Sequence, residues 1–453
     1  MSHNAPLIVS ISGIRGIVGQ SLTDEVAARF AAAFGTWLGA GRKVVLARDP
    51  RPSGEALSQA CAAALQEMGC RVLDLGLCST PGAKLMVTEL GAAGAIILTA
   101  SHNPLPWNGL KLIRGDGIFL NAAQGKEVEA LFHAQAFTPR AGGSLEQVDP
   151  ALVHRLHLER ILAAVEVERI RRAHLRVAVD PCNGAGGLLL PQLLQALGVE
   201  AHFIHGEPHG RFAHEPEPVP ANLVELGQAV RQSQSAIGFA VDPDADRVAL
   251  VGADGLPVGE DYTLALAVLA VGARRRGIVV TTLSTSQLVS DAALVRQCPV
   301  MLTPVGEVHV VEKMIEVGAV IGGEGNGGVV LTEVDPGRDA ALGVAIVLES
   351  LARQPLAAWL EELPRYSIDK RKVSCTPAQL AQALDQLRRR HPSAYAHPVV
   401  DGVKLYMSGR LECPWVHLRA SNTEPVVRII AESTTSMEAA ALCEEAEELL
   451  RGN

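Results

Sequence analysis

Apolar and polar positions along the chain repeat one pattern: a short β-branched run, a turn of Gly, Asp or Ser, then an Ala/Leu-rich stretch with helical spacing. KVVLARDPRPSG (Lys43–Gly54) leads into EALSQACAAALQEMG, and RVAVDPCNGAGG (Arg176–Gly187) into LLLPQLLQALG. AIGFAVDPDADR (Ala236–Arg247) follows a polar helical stretch, while Gly94–Pro104 and Gly277–Ser286 open further units of the same kind. Strands alternating with helices of this length predict an α/β fold of βαβ units with mixed, largely parallel sheets. In such sheets ligands gather beyond the carboxyl ends of strands, and that is where the polar turns fall. Towards the C-terminus the pattern changes to a helix over Thr376–Arg390, strands in DGVKLYM and WVHLRAS, and a closing acidic helix. These shifts divide the chain into 1–148, 149–256 and 257–364, each α/β, and a smaller α+β domain over 365–453.

Composition narrows the function classes. With 40 Lys+Arg against 49 Asp+Glu, the net charge is -9, which argues against a nucleic-acid binder with a broad basic surface. Aromatic residues make up 4%, too few for base-stacking platforms. An anionic small substrate needs only a few local donors and stays open. The most apolar stretch, Leu264–Ala273, has about half the ~20 residues that span a bilayer, so no membrane partner is expected. The N-terminal MSHNAPLIVS lacks the basic flank and long apolar core of a signal peptide. Eight cysteines without a C-x-x-C pair suggest neither a thiolate zinc site nor a disulfide framework, and a reduced, cytoplasmic setting is expected.

Four segments carry candidate chemistry. In TASHNPLPWNGLK (Thr99–Lys111) an apolar strand ends in Ser101 on an Asn-Pro turn. This reads as a nucleophile or phosphorylation site with His102 or Lys111 moving the proton, or as a plain turn capped by Ser. In DPDADR, Asp242, Asp244 and Asp246 alternate directly after a strand, and crowding three carboxylates calls for a cation. All-oxygen ligation suits Mg²⁺ or Ca²⁺. An EF-hand is excluded, since Arg247 stands where it needs Gly and Ala253 where it needs Glu. IGGEGNGG (Ile321–Gly328) surrounds Glu324 and Asn326 with glycines, as a ligand-reading loop or a flexible turn would. LRASNTEPVVRI offers Arg419, Ser421, Asn422, Thr423 and Arg428, either as an anion cradle or as a polar hairpin loop.

Taken together, in this order, the four segments resemble the α-D-phosphohexomutase superfamily of phosphoglucomutases, phosphomannomutases and phosphoglucosamine mutases. SGIRGIVG (Ser12–Gly19), ARDPRPSG (Ala47–Gly54), PEP (Pro216–Pro218) and GRDA (Gly337–Ala340) extend the resemblance over essentially the whole chain. It implies three similar α/β domains and a smaller α+β domain around a central cleft. By motif it implies Ser101 as the phosphoserine, with Asp242, Asp244 and Asp246 holding Mg²⁺ together with Ser101. Arg247 would contact the same loop and Lys111 would transfer a proton. Glu324 and Asn326 would grip sugar hydroxyls. Arg419, Ser421, Asn422, Thr423 and Arg428 would hold the non-reacting phosphate, and Arg15 would line the cleft. The implied reaction interconverts hexose 6-phosphate and hexose 1-phosphate through a hexose 1,6-bisphosphate, which also activates the unphosphorylated enzyme. The implied partner is a small sugar phosphate, bound by a monomer or homodimer.

Two departures bear on specificity. Gly328 stands where many relatives carry the His of G-E-x-S-G-H, and the GEGNGG form looks like the archaeal-type branch whose members are called phosphoglucosamine mutase or phosphomannomutase/phosphoglucomutase. Glucosamine phosphate is the expected substrate, with mannose and glucose phosphates close behind. RFAHEPEP (Arg211–Pro218) replaces a run resembling F-P-R-x-P-E-P. A haloacid-dehalogenase phosphatase is disfavoured by Asp246 where its motif wants Thr or Val. A Ser hydrolase is disfavoured by the absence of G-x-S-x-G around Ser101. A non-catalytic sugar-phosphate binder remains the non-enzyme alternative. His202, His205 and His309 fall outside every motif and read as packing or surface histidines, and Trp107 as a residue that shapes the Ser101 loop.

Overall fold

The computed structural model describes residues 6–10, 13–420 and 426–451. The chain forms two compact units, Met1–Thr263 with Asn326–Leu356, and Leu264–Gly325 with Ala357–Asn453.

The first unit contains a seven-stranded sheet in the order Ile8–Ser10, Gly13–Ile17, Trp107–Arg114, Gly94–Leu98, Lys43–Arg48, Arg71–Leu77, Ser144–Gln147. Gly94–Leu98 (GAIIL) is buried at every position, as an apolar run covered on both faces must be. It pairs in parallel with Lys43–Arg48 and antiparallel with Trp107–Arg114, setting Ile97 opposite Lys111. The helix Asp24–Leu38 is capped by Thr23, whose side chain accepts from Val26 N, and starts with Asp24 and Glu25 at its positive end. It packs on the helix Gly54–Glu67, and Phe30 stacks on Phe132 with ring centroids 3.8 Å apart.

A four-stranded sheet follows, in the order Val248–Gly252, Ile237–Val241, Arg176–Asp180, Glu200–Phe203. Its first pair is antiparallel and the others are parallel. Both chemically suggestive turns after Leu98 and Val241 therefore lead into an antiparallel return strand rather than a crossover helix. WNGLKLIR and VALVG are buried almost throughout, so each strand stays in its sheet.

The second unit contains parallel strands in the order Val300–Thr303, Val279–Thr282, Ile321–Glu324. It also contains an antiparallel five-stranded sheet in the order Ser367–Val373, Val427–Ser433, Trp415–Ala420, Val403–Tyr406, Tyr395–Ala396. The helices Pro377–Arg390 and Ser436–Arg451 cover that sheet over a core that includes Leu387, Val416, Leu418, Ile429 and Cys443. The α+β character expected of the C-terminal part is found.

One strand carries no signal in the sequence, and one local expectation changes. Ser144–Gln147 forms a strand paired with Arg71–Asp74. All four of its residues are exposed, so it carries no apolar alternation to betray it. The glycine-rich IGGEGNGG is half strand, because Ile321–Glu324 is fully buried and hydrogen-bonded beside Val279 and Val280. Among the described residues no single helix is long and apolar enough to cross a membrane.

Candidate active site

Ser101 sits one turn beyond the carboxyl end of Gly94–Leu98, in the left-handed backbone region at φ 50°. That conformation costs a non-glycine residue free energy, and the surroundings hold it in place. Its N–H donates to Thr99 Oγ1 at 2.9 Å, and Thr99 Oγ1 donates to Asp49 Oδ2 at 2.6 Å. Asp49 in turn accepts from Arg51 Nε at 3.1 Å. Arg51 is wholly buried and donates to four carbonyls of the turn: Ser101 (2.6 Å), Asn103 (2.7 Å), Pro104 (3.0 Å) and Trp107 (2.9 Å). One planar guanidinium thus fixes the whole loop.

The Ser101 hydroxyl points at the second turn, donating to Asp242 Oδ2 at 2.9 Å. Asp242 Oδ1 accepts from the N–H groups of Asp246 (3.0 Å) and Arg247 (3.1 Å), which closes DPDADR on itself. Asp244 Oδ2 accepts from Thr80 Oγ1 at 2.5 Å and Lys111 Nζ at 2.6 Å. Asp246 Oδ2 accepts from Lys111 Nζ at 3.1 Å and Arg338 Nη2 at 2.7 Å. Lys111 reaches both carboxylates because its strand returns antiparallel beside the one that leads to Ser101.

Burial decides the electrostatics. Asp242, Asp244 and Asp246 have no solvent exposure, and one oxygen of each lies within 4.8 Å of the others. Burial and then the charges of Asp246 and Asp244 push the Asp242 pKa well above the ordinary range. Burial also raises Asp246, but Arg338, Lys111 and Arg247 outweigh it and hold that carboxyl well below the usual range. Lys111 loses stability as a cation through burial and regains more from Asp244 and Asp246, so its pKa is raised. Asp244 Oδ1 and Asp246 Oδ1 are buried with no hydrogen-bond partner. Two orphaned carboxylate oxygens beside a third carboxylate are costly unless a cation meets them, and an all-oxygen donor set suits Mg²⁺.

Around this centre, Arg15 Nη1 donates to Asn103 Oδ1 at 3.0 Å, and burial followed by Arg247 lowers its pKa to about 10, so it stays charged. His102 Nδ1 lies 3.4 Å from Ser101 Oγ. Burial, then Arg247 and Arg15, drive the His102 pKa well down, which keeps the ring neutral. Arg247 Nε lies 3.5 Å from Asp246 Oδ1. Arg51, Arg338, Thr80 and Asp49 were absent from the sequence-derived site. ARDPRPSG and GRDA flagged the segments of three of them, but only the fold shows which atoms they hold.

The remaining candidates are placed separately. In the second unit Glu324 is buried at a strand end and accepts from Gly306 N at 3.2 Å. Arg419 and Arg428 stand opposite each other on adjacent strands. Burial lowers the Arg419 pKa, Asp401 opposes this, and Arg428 adds to it. Asn326 begins the segment that rejoins the first unit, with its Oδ1 buried and unbonded. Ser421, Asn422 and Thr423 lie outside the described residues.

Known proteins match this architecture from end to end. Models of the phosphoglucomutase/phosphomannomutase family match its α/β/α domains I, II and III at residues 7–139, 155–255 and 259–366, and its C-terminal domain at 372–449. A phosphoglucomutase/phosphomannomutase of Thermococcus kodakarensis is 34% identical over 435 residues, covering 94% of each chain. A phosphoglucosamine/phosphogalactosamine mutase of Sulfurisphaera tokodaii is 32% identical over 450 residues, covering 97% of this chain and 98% of its own. The crystal structure of a phosphoglucomutase/phosphomannomutase family protein from Burkholderia thailandensis superposes with a TM-score of 0.85 at 28% identity, covering 98% of this chain and 97% of its own. With its fold and all four domains accounted for, the chain belongs to the phosphoglucomutase/phosphomannomutase family of the α-D-phosphohexomutase superfamily and is a mutase.

Proposed function

We propose that this mutase interconverts hexose 6-phosphate and hexose 1-phosphate through a phosphorylated Ser101, with glucosamine phosphate as the preferred substrate. The observation that carries the reading is Ser101 Oγ, 2.9 Å from Asp242 Oδ2 and beside two carboxylate oxygens that lack hydrogen-bond partners. Asp242, Asp244 and Asp246, with an oxygen on Ser101, would hold Mg²⁺. When bound, that ion neutralises negative charge on the transferring phosphoryl group.

The chain's own residues do the rest. In the forward step the P–O bond to Ser101 breaks as a P–O bond to a sugar hydroxyl forms. The sugar hydroxyl gives up its proton to a nearby base while Ser101 Oγ takes one up as it leaves, and the second step reverses this at the other phosphate of hexose 1,6-bisphosphate. His102, kept neutral, and Lys111, held against Asp244 and Asp246, are the groups proposed to handle those protons. Arg247 and Arg15 supply positive charge beside Ser101, and Arg51 holds its loop rigid against recoil. Glu324 and Asn326 are proposed to read sugar hydroxyls, and Arg419, Ser421, Asn422, Thr423 and Arg428 to hold the non-reacting phosphate. Hexose 1,6-bisphosphate would prime the unphosphorylated enzyme.

A second reading, broad phosphomannomutase/phosphoglucomutase activity, is favoured by the names of relatives of both kinds at about equal identity. A hydroxyl-for-amine difference at one ring carbon is worth only a few kcal/mol in a tolerant site. Phosphorus NMR of enzyme, Mg²⁺ and a trace of hexose bisphosphate with glucosamine, mannose and glucose 6-phosphates tests both. The expected result is a 1-phosphate signal, fastest with glucosamine phosphate and absent in Ser101→Ala. Release of inorganic phosphate, or turnover by Ser101→Ala, overturns the phosphoserine mutase. Equal rates for all three sugars favour the broad reading.

A further inference from the structure

Outside the Ser101 centre, Asp180, His205 and His214 turn one ligand atom each towards a common point, all within 4.8 Å of one another. Asp180 ends the strand Arg176–Asp180 and is buried. His205 Nδ1 lies 3.2 Å from both Asp180 oxygens, and His214 Nε2 lies 3.0 Å from Asp180 Oδ2. The outer nitrogen of each ring also faces an acceptor: His205 Nε2 is 3.1 Å from Glu225 Oε2, and His214 Nδ1 is 2.8 Å from the Glu215 carbonyl. Asp180 Oδ1 is itself oriented by the Cys182 N–H at 2.8 Å.

Each imidazole therefore meets acceptors on both sides. Protons alone satisfy this only by charging both rings, with Asp180 as the one carboxylate that they share. A cation at the shared point satisfies it with neutral rings, each ligating through its inner nitrogen while its outer N–H donates to Glu225 or Glu215. That division of roles between ligand and outer acceptor is the usual arrangement of metal-bound histidine. Two imidazoles and one carboxylate suit a borderline divalent ion of the zinc class over Mg²⁺ or Ca²⁺.

We propose that Asp180, His205 and His214 form a second metal site, specific for a zinc-class cation and separate from the Asp242–Asp244–Asp246 cluster. The site ties the 205–217 loop to the 180–184 turn, and each of these braces the Ser101 centre. Any side chain at Gly184 would strike Pro243 between Asp242 and Asp244, and Ala185 N donates to Pro243 O at 2.7 Å. At φ 69°, Gly210 lies so close to the Pro50 carbonyl that a Cβ would come within 1.9 Å of it. Phe212 covers the Arg51 guanidinium at 4.8 Å. The departure RFAHEPEP, which supplies His214, is what completes the ligand set.

The test uses the full chain, stripped with chelator and returned to excess Mg²⁺, then titrated with Co²⁺ as a visible probe and with Zn²⁺ as competitor. One equivalent of Co²⁺ is expected to give visible d–d absorption that Zn²⁺ abolishes and Mg²⁺ does not. Asp244→Asn should bind it equally well. Glu225→Gln, at an exposed position, should weaken binding by about 10–100-fold, and His214→Gln by more. Proton NMR of the Co²⁺-loaded wild type, which needs no variant to fold, should show two hyperfine-shifted exchangeable imidazole signals. Absence of Co²⁺ binding in excess Mg²⁺, no shifted imidazole signal, equal affinity in folded His214→Gln, or loss of the site in Asp244→Asn each overturns the proposal.

Discussion

Arg51 carries more of the candidate site than its sequence neighbourhood suggests. It is wholly buried, paired with Asp49, and donates to four carbonyls of the loop that presents Ser101. Lysine has the charge but not the planar fork, so Arg51→Lys leaves several of those carbonyls unmet. A displacement near 1 Å at Ser101 is expected to lower kcat/KM about 100-fold. Steady-state kinetics would show it, and wild-type turnover would mean that the loop holds itself. Asp244 stands at the opposite extreme, readable from DPDADR alone. Its Oδ2 is committed to Thr80 and Lys111 while Oδ1 has no partner. Asp244→Asn is expected to raise the Mg²⁺ concentration for half-maximal rate by at least about tenfold, since a neutral amide is a poor ligand for a hard cation. An unchanged Mg²⁺ titration would remove Asp244 from the metal site.

At the scale of elements, legibility followed local pattern. Strands such as Gly94–Leu98 and helices such as Gly54–Glu67 announce themselves by composition, and so do the turns bearing Ser101 and the three aspartates. Ser144–Gln147 does not, because an exposed edge strand has no apolar face. Nor do Arg338 on Asp246 or His214 on Asp180, whose partners are 92 and 34 residues away in sequence. Glu432 is a further case, where one carboxylate joins two elements of the second unit. It accepts from Ser286 Oγ, from Gln287 N at 2.8 Å and from Trp415 Nε1 at 2.6 Å, and it is fully buried. Ser286 is also the cap of the helix Gln287–Val295. Glu432→Ala strands three donors at about 1–3 kcal/mol each, so a loss of roughly 3 kcal/mol or more is expected. Urea denaturation followed by tryptophan fluorescence reads it directly, because Trp415 reports on the site. A wild-type midpoint would show that water replaces the carboxylate at little cost.

For the molecule as a whole, a net charge of -9 coexists with a centre built on Arg15, Arg51, Arg247, Arg338 and Lys111, so positive charge is gathered locally rather than spread over the surface. The first unit is assembled from two stretches of chain, and the later one, Asn326–Leu356, supplies Arg338. That stretch is anchored by Ala340 N on Ala245 O at 3.1 Å and by His157 Nε2, 2.6 Å from Asp339 Oδ2. Asp339 also caps the buried helix Ala340–Leu351 by accepting from Leu342 N. Burial opposes a charge on His157, but Asp339 outweighs it and raises the imidazole pKa. The unfolded chain loses this proton near pH ~6.5 while the folded chain keeps it to higher pH. The stability this pair contributes is therefore complete below about pH 6.5 and drains away as pH rises through the raised value, by up to ~1.4 kcal/mol per pH unit. His157→Gln keeps a donor for Asp339 without the titration. Unfolding free energies measured in urea from pH 6.5 upwards should fall more steeply for wild type than for His157→Gln, so the two curves approach each other with rising pH. Parallel curves would mean that His157 is neutral when folded, and that the returning segment is held to Asp339 by a hydrogen bond rather than by charge.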